Sequence, residues 1–220
     1  MSVSVGILDY ILTGILPLPR WDARLVAWDH ALGFDWRDWY AWVVRYPALH
    51  AIFHTVYGLL GPEMLALFIT LELAGHAATA KAFLRQFILT AMITVFIGTL
   101  MPAAGAFVYY HLPVAAHTGY VPVMTDLRNG TLRNINLFNG QGLVVFPSFH
   151  TTLAVLCAAA TWPWHRLRLP ALLFNLLIIF SAMSEGGHYL VDILAGLLLG
   201  VMAIAFIPPA KSALHKTSVS

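Results

Sequence analysis

Residues 87–100 read Phe87-Ile88-Leu89-Thr90-Ala91-Met92-Ile93-Thr94-Val95-Phe96-Ile97-Gly98-Thr99-Leu100, and no Asp, Glu, Lys or Arg occurs anywhere from Gln86 to Thr125. A helix at the surface of a soluble protein keeps a charged face. This stretch has none, and it approaches the roughly 20 apolar residues that a helix needs to cross a bilayer. Two further gaps without these charges run from Asn134 to His165 and from Ile193 to Ala210. The rest of the chain agrees. Of its 220 residues 60 % are apolar and 10 % carry a formal charge, against about 45–50 % and about 25 % in soluble domains. So few charges cannot cover the surface of a soluble protein of this size.

The composition excludes other classes too. Disordered, collagenous and coiled-coil sequences are far more polar or far more repetitive. The single cysteine, Cys157, permits no intrachain disulfide. A net charge of +2 is too small for a nucleic-acid footprint, so no nucleic-acid partner is expected.

The fold expected is all-α, a polytopic membrane bundle of about six transmembrane helices forming a single domain over 1–220. The charge gaps predict helices over roughly 83–102, 149–163 and 188–207. A fourth covers 169–183, with Pro170 in its first turn, where the missing N–H costs nothing. A fifth covers 48–73, interrupted at Gly61-Pro62 and carrying Glu63 and Glu72, so it either kinks or turns a face into the bundle. Val3 to Leu18 lacks the basic start and the cleavage site of a signal peptide, and is either the sixth span or an interfacial anchor. Trp21 to Tyr46 interleaves five tryptophans with Arg and Asp, a pattern suited to the headgroup layer. Residues 1–47 are thus an N-terminal span or anchor with an interfacial segment, residues 48–207 the core helices, and 104–147 an outer loop. With six spans, Lys81, Arg85, Arg166, Arg168, Lys211 and Lys216 fall on the side of the N-terminus. The positive-inside rule makes that side cytoplasmic, although Arg20, Arg24, Arg37 and Arg45 then fall outside.

Polar residues at helix starts need a reason in so apolar a chain. Phe146-Pro147-Ser148-Phe149-His150-Thr151-Thr152 opens one predicted helix, and Ser184-Glu185-Gly186-Gly187-His188-Tyr189-Leu190-Val191-Asp192 opens another. On the topology above both open from the outer side. His188 and Asp192 are four apart, on one face of a helix. Asp192 can accept one ring N–H of His188, which fixes the tautomer and leaves the other nitrogen for a substrate. Gly186-Gly187 admits a bulky headgroup, and the helix-start amides form an anion site. Ser148 either caps its helix or donates to an anion. The plain structural reading stands beside these: a helix-stabilising His-x3-Asp pair and an ordinary cap. His50 and His54, four apart beside Tyr57, are read as packing residues; His111 and His117 fall in the outer loop.

These two clusters resemble the second and third signature motifs of the type 2 phosphatidic acid phosphatase (PAP2) superfamily. The second motif, Pro-Ser-Gly-His, is matched by Pro147-Ser148-Phe149-His150, with Phe149 in place of glycine. The third, Ser-Arg followed by five residues, His, three residues and Asp, is matched by Ser181-Ala182, His188 and Asp192, with Ala182 in place of arginine. The first motif, Lys, six residues, Arg-Pro, has no recognisable counterpart; Arg128 and Arg133 are the nearest basic residues in the corresponding loop. The departures at Phe149 and Ala182, with Gly-Gly-His-Tyr around His188, are similar to the branch containing inositol phosphorylceramide synthase, the aureobasidin-resistance type. The resemblance covers about residues 60–207.

What it implies is a membrane lipid phosphatase or phospholipid headgroup phosphotransferase. His188 is the nucleophile, forming a phosphohistidine; Asp192 orients it; His150 is the general acid and then the general base. Arg128, Arg133, Ser148 and Gly187 hold the substrate phosphate. No metal and no other cofactor is needed. The partners are a phospholipid or lipid phosphate substrate and the surrounding membrane lipids. The site faces the periplasmic or lumenal side of a plasma or bacterial inner membrane. Two other readings stay open: a catalytically inactive lipid-binding or scaffold protein of the same fold, and a membrane metalloenzyme built on His50, His54, His150 and His188.

Overall fold

The computed structural model describes residues 3–16, 18–112, 120–132 and 142–208. All the secondary structure among them is helical: α1 (Val3–Ile15), α2 (Asp22–Ala31), α3 (Trp36–Arg45), α4 (Pro47–Leu73), α5 (Ala77–Leu100), α6 (Ala106–Tyr109), α7 (Tyr120–Arg128), α8 (Phe149–Ala160), α9 (Arg168–Glu185) and α10 (Leu190–Phe206). Three of these, α4, α5 and α9, are long and apolar enough to cross a membrane; α8 and α10 are apolar but shorter. The chain is a helical membrane bundle. With 13 residues, α1 is shorter than the roughly 20 that a span takes.

At the centre stands α8, packed against α4, α5, α9 and α10. Small side chains make the closest approach possible. A Cβ on Gly196 would lie 2.4 Å from the Ser148 carbonyl oxygen, so only glycine lets α10 come this near the start of α8. There Thr152 Oγ1 donates to the Gly196 carbonyl at 3.0 Å, and the Ser148 amide to the Asp192 carbonyl at 3.0 Å. These contacts fix the register of the two helix starts that carry His150 and Asp192. Leu153, Leu156, Cys157, Ile178, Ala182 and Ile193 form the core between them.

Helix α4 runs unbroken through Pro62. Glu63 faces inward and accepts a hydrogen bond from Asn175 Nδ2 of α9 at 2.8 Å. A carboxylate inside a membrane bundle needs such a partner.

The segment 21–46 departs from expectation. It is not merely a headgroup-layer collar, because several of its residues form the second core of the molecule. Trp36 is 1 % exposed, stacks between Tyr40 and Tyr110 and donates its indole N–H to the Met183 carbonyl at 2.9 Å. Trp28 and Trp42 remain exposed, as a collar would have them. Asp22 and Asp29 are buried. Desolvating a carboxylate is costly unless several donors replace water, and the backbone supplies them. Asp22 accepts the amides of Ala104 and Gly105 and the phenol of Tyr189. Asp29 accepts the amides of Leu190 and Val191. From α1, Asp9 accepts the Leu143 amide at 2.8 Å.

Candidate active site

The helix starts converge at one end of the bundle. Ser148 caps α8, its hydroxyl accepting the Thr151 amide at 3.3 Å, and this places His150 in the first turn. The chain leaves α9 at Glu185 and turns through Gly186 and Gly187 into α10. Gly187 has φ +65°, and a Cβ there would meet the Phe107 ring at 2.7 Å. Backbone conformation and crowding therefore both demand glycine. The turn delivers His188 just before α10, with Asp192 one turn along it.

His188 Nδ1 lies 3.3 Å from Asp192 Oδ2. That oxygen also accepts the Tyr189 amide at 2.9 Å, which orients the carboxylate. Nδ1 is thus engaged by Asp192. His188 is 5 % exposed. Burial disfavours the imidazolium and pushes its pKa down to about 4, against a hydrogen bond to the Val145 backbone that raises it. The ring is thus neutral at ordinary pH, as a nucleophile must be. The His150 and His188 ring centroids are 6.3 Å apart, close enough to flank one phosphorus atom. His150 is held from its other side by Tyr57 of α4, stacked at 4.3 Å with 11° between the planes.

A second group adjoins this one. Glu185, 3 % exposed, pairs through Oε1 with His50 Nε2 at 3.2 Å and through Oε2 with His54 Nδ1 at 3.1 Å. His50, His54 and Tyr57 share one face of α4 at helical spacing. The cluster therefore continues from His50 through Tyr57 to His150 and His188. Sequence reasoning treated His50 and His54 as packing residues and gave Glu185 no role. The 50-54-57 spacing and a carboxylate beside Gly186-Gly187-His188 were the available signals.

The expected phosphate-binding residues fare differently. Arg133 lies outside the described residues, as does His117. Arg128 Nη2 donates to the Leu18 carbonyl and lines a small cleft with Thr13, Thr99, Val144 and Val145. Gly187 and Ser148 have the structural duties given above. Of the helix-start amides expected to hold phosphate, those of Leu190 and Val191 donate to Asp29, that of Tyr189 to Asp192 and that of Thr151 to Ser148. For the metalloenzyme reading, no three His, Cys, Asp or Glu among the described residues are arranged to hold a metal ion. A cavity of about 490 Å³ lies toward the far end of α8, between Phe83, Ala158, Leu176 and Ile204, and does not include the histidines.

This pairing of two helix-start histidines, one held by a carboxylate four residues on, agrees with a family match: the model of the PAP2 superfamily aligns with residues 23–206. The chain belongs to the PAP2 superfamily. Phosphatases are the general run of that superfamily, and the match takes in both helix starts as well as α2 and α3. No curated protein and no solved structure matches the chain. The PAP2 match begins at residue 23, so it includes Asp29, whose side chain caps α10, and excludes α1.

Proposed function

We propose that this PAP2 protein is a membrane enzyme that removes or transfers the phospho-group of a lipid through a phosphohistidine on His188. The observation that carries the reading is the 6.3 Å separation of the His150 and His188 rings, with His188 Nδ1 on Asp192.

Phosphoryl transfer asks for in-line attack, a protonated leaving group and dispersed charge on the remaining oxygens. In the first step the Nε2 lone pair of His188 forms a bond to phosphorus. The P–O bond to the leaving alkoxide breaks, and that oxygen takes a proton from His150. Asp192 supports the positive charge that develops on His188. In the second step His150 takes a proton from water or an acceptor hydroxyl, whose oxygen attacks phosphorus. The P–N bond breaks and its electron pair returns to His188. The same group serves as acid and then base, as microscopic reversibility requires.

The departures at Phe149 and Ala182, similar to the inositol phosphorylceramide synthase branch, favour transfer to a lipid acceptor over hydrolysis alone. The charge pattern of the loops favours six spans with the histidines on the outer face of a plasma or bacterial inner membrane. Purified protein should be incubated with 32P-labelled short-chain phospholipids, with and without ceramide and diacylglycerol acceptors. Labelled protein after a quench that avoids acid, lost in His188→Ala, is the expected result. Wild-type turnover by folded His188→Ala would sink the mechanism, and absence of turnover on every substrate would favour the inactive, lipid-binding reading.

A further inference from the structure

A phosphate held between His150 and His188 needs donors for its other oxygens, and several at this end of the bundle are already engaged. The α10 amides of Leu190 and Val191 are taken by Asp29, and the Thr151 amide of α8 by Ser148. Arg128 donates to Leu18. The arginine that the family places in the third motif is Ala182 here, inside the core.

His50 and His54 sit beside this gap. Their side chains are 38 % and 53 % exposed, while the carboxylate between them is 3 % exposed. Glu185 therefore lies beneath the two rings and the rings form the surface. Glu185 engages Nε2 of His50 and Nδ1 of His54, which places Nδ1 of His50 and Nε2 of His54 on the edges turned away from the carboxylate. A ring carrying both protons donates one to Glu185 and the other to an outside acceptor. Connection to the reacting centre is short. Tyr57, on the same face of α4, stacks on His150, and its hydroxyl comes within 2.8 Å of where a Cβ on Gly186 would stand.

We propose that His50 and His54, fixed by Glu185, form the phosphate-binding subsite of this centre, binding the oxygens of a phosphate ester that His188 does not attack. The buried carboxylate hydrogen-bonds His54 Nδ1 at 3.1 Å and lies 3.2 Å from His50 Nε2, so part of the side-chain freedom is already lost before the anion arrives. Ring N–H groups turned toward the phosphate replace the donors that Arg and Lys would supply. The inference rests on the phosphoryl-transfer reading above and adds the residues that hold the anion.

The test uses full-length protein in detergent micelles carrying His188→Asn, which cannot turn over. Inorganic phosphate and dihexanoyl phosphatidic acid are titrated separately and binding is read from 31P line widths. Adding His50→Gln and His54→Gln, which keep a side-chain donor toward Glu185, is expected to weaken binding tenfold or more. Weakening for both probes assigns the subsite to the phosphate group itself; weakening for the lipid alone assigns it to a headgroup presented on its chains. If the double replacement lowers the thermal midpoint, His54→Gln alone, at the more exposed ring, is expected to weaken binding at least threefold. Unchanged affinity in a folded variant overturns this inference and leaves the reaction untouched. Failure of the His188→Asn parent to bind either probe overturns the phosphoryl-transfer reading with it.

Discussion

The Tyr57 ring lies flat on the His150 imidazole, 4.3 Å between centroids and 11° between planes. The stack covers one face of the imidazole and so bears on the plane in which His150 presents its proton. Tyr57→Phe keeps the ring and is expected to retain near wild-type turnover. Tyr57→Leu removes the stack while leaving the general acid in place. Its kcat should fall by about tenfold to a hundredfold, a part of the roughly 10²–10⁴ that a positioned acid contributes in full. Steady-state kinetics with a short-chain lipid phosphate checks both, and equal turnover in the two variants would show that the stack does not orient His150.

Asp29 stands 161 residues from Leu190 in sequence and accepts its amide at 2.9 Å, with Val191 at the same distance. Asp29→Ala leaves two buried amides without their acceptor, at a cost of about 1–3 kcal/mol each. The thermal midpoint in detergent should drop, and kcat with it, since the freed amides begin the helix that carries Asp192. Asp29→Asn retains one acceptor oxygen and should fall between. A midpoint unchanged in Asp29→Ala would show that water replaces the carboxylate there.

His188 gives the protein a distinct pH response. Burial lowers its pKa to about 4, whereas in the unfolded chain it titrates near 6.5. Between these values the unfolded chain binds more protons than the folded one, so stability falls as pH falls through the window from 6.5 to 4. Above 6.5 this contribution is constant. His188→Asn should flatten the acid side of a thermal-midpoint profile taken from pH 7.5 to 4.5; a wild-type slope in that variant would assign the response to other groups.

The bundle was legible in the sequence because lipid imposes a crude rule, long runs without charge, that needs no tertiary knowledge. His188 and Asp192 were legible because their partnership is local, one helical turn. The supporting carboxylates were not. Asp22 and Asp29 look like acids balancing Arg20 and Arg24 in an aromatic stretch, and only the approach of α2 to residues 104–105 and 190–191 shows that they hold backbone amides. Glu185 was hidden similarly: its partners lie on α4, 131 residues from it in the case of His54. A chain that buries a carboxylate must find its donors somewhere, but spacing along the sequence does not say where.

Gly187→Ala isolates the geometry of the turn from its chemistry. The substitution forces a side chain into φ +65° and against Phe107 at 2.7 Å, a strain of about 1–3 kcal/mol. The thermal midpoint should fall, and His188 should shift off Asp192. Adding Phe107→Leu relieves the clash but not the backbone strain, so it should recover only part of the loss. Full recovery would mean that crowding alone demands glycine here.

Chelation addresses the reaction directly. His50 and His54 lie on Glu185, His188 on Asp192 and His150 on Tyr57, and no group of three His, Cys, Asp or Glu among the described residues is arranged to hold a metal ion. The charge on phosphate is then met by imidazoles, and turnover should survive dialysis against EDTA with kcat within about twofold of the untreated protein, a difference of less than about 0.5 kcal/mol in barrier. The measurement must be made on 32P-labelled lipid with the dialysed protein and again after adding back Mg²⁺, Mn²⁺ and Zn²⁺ in turn. Loss of turnover restored by one of these ions would transfer His50, His54 and Glu185 from holding phosphate to holding that ion. The yield of the His188 phosphoenzyme after the acid-free quench should then depend on the same ion.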